Sequence, residues 1–241
     1  MEKLGMKLVF IHGAGCSSLS FYYQLRHFRS AKAIDLPGHP DGKPCDTVDG
    51  YLEWVRGFIR ARRYKNVILC GHSMGGAIAM RYALKYPEEL RGLILLGTGA
   101  RLRVHPQYLQ RCREAGEDKA PWLEQHLDYY QGVNDEVYPV LRQRASEVGP
   151  EVELNDLMAC DSFDMMDSVK KIKLPTRVIC GSDDVMTPVK YSEYLTNSIE
   201  DATQAIIAGG SHFVHMEKYQ KVNEEIEDFL ETFKPLGKRA G

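Results

Sequence analysis

Short, largely apolar runs alternate with helical patterns along this chain, and that alternation limits its fold more than any other feature. Six such runs cover residues 8–11, 31–35, 67–70, 93–96, 177–180 and 203–207. Runs that are apolar throughout, rather than at every second position, suit strands buried on both faces. Such strands belong to parallel sheets covered by helices. Helical patterns occupy residues 17–28, 47–62, 77–86 and 217–233, with Thr47 a candidate N-cap and Leu52, Val55, Phe58 and Ile59 near one face. The expected architecture is three-layer α/β around about six mostly parallel strands. In such sheets ligands bind beyond the carboxyl ends of the strands, so the loops after the strands should gather at one edge.

Residues 100–171 interrupt the alternation. Helical patterns appear at 107–115, 121–130, 136–146 and 154–160, with no convincing strand among them. The chain therefore divides into a core of residues 1–99 and 172–241 and a helical insertion, 100–171, between the fourth and fifth strands. The insertion is rich in large side chains: Tyr108, Trp122, Tyr129, Tyr130, Tyr138, Met158, Phe163, Met165 and Met166. Placed over the sheet edge, some of these would roof an apolar pocket, while each taken singly is better read as packing. Arg101, Arg103, Arg111 and Arg113 could receive a carboxylate but read first as a solvated helical face.

The 241 residues fit one large domain or a domain with an insertion. A formal net charge of −2 gives no footprint for nucleic acid or an anionic membrane surface. The first apolar run is too short for a signal-peptide core, and no stretch could span a bilayer, so a cytoplasmic location is expected. Cys16, Cys45, Cys70, Cys112, Cys160 and Cys180 show no Cys-x-x-Cys pair and no zinc-like spacing, and read as small hydrophobes in a reducing compartment. The tail, residues 237–241, is expected to fray.

Chemistry concentrates in Gly71-His72-Ser73-Met74-Gly75, a Gly-x-Ser-x-Gly run between a predicted strand and a predicted helix. A serine in that context is lifted clear of a sharp turn, where Gly71 and Gly75 stand at positions that bulk would obstruct. It also sits at a helix N-terminus, where unpaired N–H groups favour negative charge. A serine hydroxyl needs a base. His212, in the glycine-rich loop after the sixth strand, is the candidate; His215 falls where the next helix begins and should pack or cap, and His72 should point into the core. The imidazole in turn needs an acid. Asp183 and Asp184 follow the fifth strand, and spacing alone does not choose between them. Backbone N–H groups of Met74, at the turn, and of Ala14, in His12-Gly13-Ala14-Gly15 after the first strand, are the candidate oxyanion donors.

With these segments in place the chain resembles the α/β-hydrolase superfamily, in particular its serine carboxylesterase and lipase-like members. The likeness rests on His12-Gly13-x-Gly15, Asp35-Leu36-Pro37-Gly38-His39, Gly71-His72-Ser73-Met74-Gly75-Gly76, Gly181-x-x-Asp184-x-x-x-Pro188 and Gly210-x-His212, in family order. The resemblance implies that Asp184, four residues before Pro188, is the acid, and that residues 100–171 form a helical cap. Since nothing before Leu8 leaves room for the antiparallel strands of larger members, a trimmed, all-parallel sheet is expected. The resemblance further implies a serine hydrolase needing no metal or organic cofactor. Its expected substrate is a small-molecule carboxylic ester with a short or medium acyl chain. Carbon–carbon bond hydrolase, thioesterase, amidase and lactonase activities use the same residues, and a non-catalytic binding protein of this fold is a rival of a different class.

Overall fold

A computed structural model describes residues 6–116, 118–130, 133 and 136–233; the tail expected to fray lies outside the described residues. Six strands form one sheet: β1 (Lys7–Ile11), β2 (Lys32–Ile34), β3 (Val67–His72), β4 (Leu90–Leu96), β5 (Thr176–Gly181) and β6 (Ala202–Ile207). Their order is β2-β1-β3-β4-β5-β6, and every pairing is parallel. The expected three-layer α/β sheet is what forms.

Alternate side chains of the strands feed two separate cores. Val9 and Ile11 of β1 and Val67 and Leu69 of β3 face one layer, built with α2 (Val48–Ala61) and α3 (Met74–Lys85). Leu8, Phe10, Ile68 and Cys70 face the other, built with Phe21, Phe28 and α9 (Tyr219–Glu231). Both sets are fully or almost fully buried, which is why these runs carry no polar alternation. At the β6 edge the burial relaxes, and Ile206 is 47% exposed.

Some predicted helices change shape. Residues 17–28 hold a 3-10 turn, Ser18–Phe21, followed by α1 (Tyr22–His27). The helix at the serine begins at Met74, three residues before the predicted start. Between β4 and β5 lie α4 (Pro106–Arg113), α5 (Ala120–Leu127) and α6 (Tyr138–Asp161). The two helices predicted at 136–146 and 154–160 run together as α6, interrupted only at Gly149, whose φ of 80° breaks the helix before Pro150 starts the next turn. After β5 comes α7 (Val189–Ser198), and α8 (Val214–Glu217) precedes α9.

Because β1 and β3 are neighbours while β2 lies outside them, the chain reverses its direction of travel across the sheet at β1/β3. The loop after β1 and the turn after β3 therefore meet at the carboxyl edge, where a crevice opens in open α/β sheets.

Candidate active site

Ser73 is the N-cap of α3 and has φ 51° and ψ −114°. A non-glycine residue takes that conformation only when its surroundings impose it. Two crowded glycines do so here. A Cβ on Gly71 would stand 2.2 Å from the Gly75 carbonyl oxygen, and one on Gly75 would stand 2.1 Å from that of Ile11. The turn is further held by the Ser73 N–H donating to the Leu96 carbonyl at 2.9 Å and by the Thr98 hydroxyl donating to the Ser73 carbonyl at 2.8 Å.

A cavity of about 250 Å3 opens at this edge. Ser73 and His212 both line it, together with Gly13, Ala14 and the rings of Tyr108 and Tyr129. Among the described residues the Ser73 hydroxyl makes no hydrogen bond to the His212 ring; such contacts commonly tighten only with substrate present. His212 Nδ1 lies 2.9 Å from Asp184 Oδ2. A carboxylate only accepts, so the proton sits on Nδ1 and the lone pair of the neutral ring on Nε2.

Asp184 is nearly buried and accepts from the backbone N–H groups of Met186 (2.9 Å) and Thr187 (2.8 Å) and from the Thr187 hydroxyl (2.7 Å). Burial pushes its pKa up, but the His212 ring and these donors more than offset that and hold the carboxyl below its ordinary value. Asp183 is exposed and accepts from the neighbouring Ser182 hydroxyl. The choice that spacing left open thus falls, in geometry, on Asp184.

Met74, as the first residue of α3, keeps its N–H outside the intrahelical ladder. Ala14 is flanked by committed groups: the Gly13 carbonyl accepts from Cys16 N–H, and the Gly15 N–H donates to Asp156. The Met74 and Ala14 positions are therefore compatible with two donors converging near Ser73.

His72 points into the core as expected, with a role that spacing did not suggest. Its Nε2–H donates to the His212 carbonyl at 3.0 Å, so it braces the loop that carries the candidate base. His215 is fully buried among Phe21, Phe213 and His72, and neither ring nitrogen has a hydrogen-bond partner among the described residues. Thr187, which touches both Asp184 and His212, was also missed; its only signal was its place three residues after the acid.

The four-arginine reading needs one correction. Arg101, Arg103 and Arg113 are exposed, but Arg111 is partly buried, its side chain 9% exposed in an ion pair with the buried Glu153 of α6. Glu153 also accepts from Trp122 Nε1 at 2.7 Å and faces His126 Nδ1 at 3.1 Å. Only the fold reveals that partner, because Glu153 lies 42 positions away. Of the large side chains in residues 100–171, Tyr108 and Tyr129 reach the cavity, whereas Trp122 is buried elsewhere and Met158 is 53% exposed.

Comparison with known proteins bears on the fold and the family. The family model described as "Alpha/beta hydrolase family" matches residues 8–225. A solved thermophilic esterase is 32% identical, with a TM-score of 0.79, over 93% of this chain and 89% of that one. A lipase-esterase related protein from Clostridium acetobutylicum is 30% identical, with a TM-score of 0.78, over 93% of this chain and 94% of that one. A 2-hydroxy-6-oxo-6-phenylhexa-2,4-dienoate hydrolase of Comamonas testosteroni is 26% identical over 94% of this chain and 88% of its own length. The chain belongs to the alpha/beta hydrolase family and is esterase/lipase-like within it.

Proposed function

We propose that this protein is a serine carboxylesterase that cleaves esters of short or medium acyl chains through an acyl-enzyme, with residues 100–171 acting as its cap. The observation that carries the reading is the cavity shared by Ser73 and His212, whose ring is anchored to Asp184 at 2.9 Å. Ser73 Oγ attacks the ester carbonyl carbon while His212 Nε2 takes its proton. Asp184 fixes the ring and stabilises the imidazolium. The N–H groups of Met74 and Ala14 stabilise the oxyanion. His212 then protonates the departing alcohol, and a water deprotonated by the same nitrogen releases the acid. The cavity, about 250 Å3, lies just below the usual range of ligand pockets, about 300–1,000 Å3, and suits a compact ester.

Arg103 and Lys190, both exposed on the cavity wall, favour a second reading: a hydrolase of a carboxylate-bearing ketoacid, as the dienoate substrate of the Comamonas relative suggests. Relative kcat/KM on p-nitrophenyl esters and on dienoate ketoacids separates the two.

A fluorophosphonate should label Ser73, read by mass spectrometry of the modified peptide. Ser73→Ala should lower turnover of p-nitrophenyl acetate by roughly four to six powers of ten. Near-normal turnover in that variant removes Ser73 from the mechanism, and an unlabelled wild type makes the fold a binding scaffold.

A further inference from the structure

We propose that Asp156, a buried carboxylate on α6, is a positioning residue that holds the loop after β1 in the conformation in which the Ala14 N–H can stabilise an oxyanion. The helices between β4 and β5 then belong to the catalytic apparatus and are not only a cover. The proposal rests on the esterase reading above, with Ala14 as a donor.

Asp156 has no exposed surface, and its three hydrogen-bond partners come from three distant segments. Its Oδ2 accepts the Gly15 N–H at 3.0 Å and faces His39 Nε2 at 2.8 Å, and its Oδ1 accepts the Tyr51 hydroxyl at 2.5 Å. His39 Nδ1 lies 3.2 Å from the carbonyl oxygens of both Leu36 and Pro37. Both ring nitrogens therefore face oxygens, Nε2 the Asp156 carboxyl group and Nδ1 the two carbonyls, so the ring bridges the loop after β2 to α6. A carboxylate is kept in such a place only when its surroundings meet every demand it makes.

Asp156 fastens the second of two peptide groups around Ala14; His12 fastens the first. His12 Nε2 accepts the Leu36 N–H at 3.1 Å, so the ring proton is on Nδ1, which donates to the Gly13 carbonyl at 2.8 Å. Burial, then the proximity of His39, lowers the His12 pKa to about 3, consistent with a neutral ring. In a planar trans peptide the C=O and N–H point opposite ways. Tying the Gly13 oxygen down on the buried side turns the Ala14 N–H toward the cavity that Gly13 and Ala14 line. Asp156 ties the following N–H, that of Gly15, so the Ala14 peptide cannot rotate without breaking a buried, charge-assisted bond. Glu153, one turn earlier on α6, blocks movement toward the helix: a Cβ on Gly15 would meet its Cγ at 2.8 Å. A donor fixed before substrate arrives needs no reorganisation in the transition state.

The test counts competent sites by stoichiometric p-nitrophenol release from diethyl p-nitrophenyl phosphate, then measures kcat and KM on p-nitrophenyl acetate per competent site. Asp156→Asn should lower kcat about 100-fold with KM little changed, and weaken inhibition by a boronic acid, which mimics the tetrahedral intermediate, by a similar factor. Tyr51→Phe removes one donor and leaves the His39 and Gly15 contacts of Asp156; it should lower kcat about fivefold in the same pattern, and it decides the matter if Asp156→Asn does not fold. Turnover per site near wild type in the folded variants overturns the proposal even where the melting temperature falls, because a purely structural contact moves stability and not kcat. A wild type with no ester turnover and no label at Ser73 overturns the esterase reading, and this proposal with it.

Discussion

Ser73 occupies a backbone conformation that its own chemistry does not favour, and the neighbouring glycines explain how it is held there. Gly75 packs against the end of β1 so closely that a methyl group would lie 2.1 Å from the Ile11 oxygen and 2.8 Å from the His12 oxygen. The same contact joins the serine turn to the loop carrying Ala14. Gly75→Ala should therefore cost about 3 kcal/mol of stability and reduce ester turnover as the two segments separate. Urea melts and kinetics check this, and a variant as stable and active as wild type would show that the turn has slack. The glycines and the serine were readable from their spacing, because a tight turn allows few residue types. Thr187, and the brace from His72 to the His212 carbonyl, were not readable, since nothing in a lone threonine or histidine announces its partner.

Among the elements, α6 departs furthest from what periodicity suggests. Gly149 and Pro150 mark a helix end and a helix start, yet the two helices abut with a single non-helical residue between them. The second half carries Glu153 and Asp156, one turn apart, both buried and both directed at other elements. Glu153 joins α4 through Arg111 and α5 through Trp122 and His126. Burial raises its pKa, while His126, Arg111 and Trp122 lower it further, so it remains ionised among them. Glu153→Gln should leave the Arg111 charge buried without its partner and cost about 3–5 kcal/mol. Thermal melts check that figure, and a loss under about 1 kcal/mol would mean that water or a shifted side chain replaces the contact. A charge inside a helical pattern is ordinarily a solvated face, which is why Arg111 looked exposed from sequence.

For the molecule as a whole, three buried histidines dominate the response to acid. Burial lowers the pKa of His215 to about 3, burial and then His39 do the same for His12, and His72 lies well below the ordinary value through burial and its histidine neighbours. The unfolded chain takes up these protons near pH 6.5 and the folded chain does not. Stability is therefore full above that pH and falls as the pH drops toward 3, by roughly 2 kcal/mol per histidine between pH 7 and pH 5. Three such losses rival the whole stability of a typical domain, so acid unfolding is expected near pH 5. His215→Leu, which leaves Ser73, Asp184 and His212 in place, should reduce by one proton the slope of unfolding free energy against pH. An unchanged slope across pH 5–6.5 would place the proton uptake elsewhere.

Sequence by itself determined the strand count, the parallel sheet, the helical segment between β4 and β5, and the loops that should meet at one edge. Each follows from local chemistry: a wholly apolar run must be covered on both faces, and a glycine-flanked serine between strand and helix leaves few backbone paths. Tertiary structure alone decided the partners that neither spacing nor the resemblance indicated: Arg111 paired with Glu153 rather than solvated, Thr187 beside both Asp184 and His212, and Asp156 beneath the Ala14 loop. Those choices depend on residues brought together from distant parts of the chain, and a hydrogen bond between them is set by where the packed layers leave donor and acceptor, a distance that composition and periodicity do not encode.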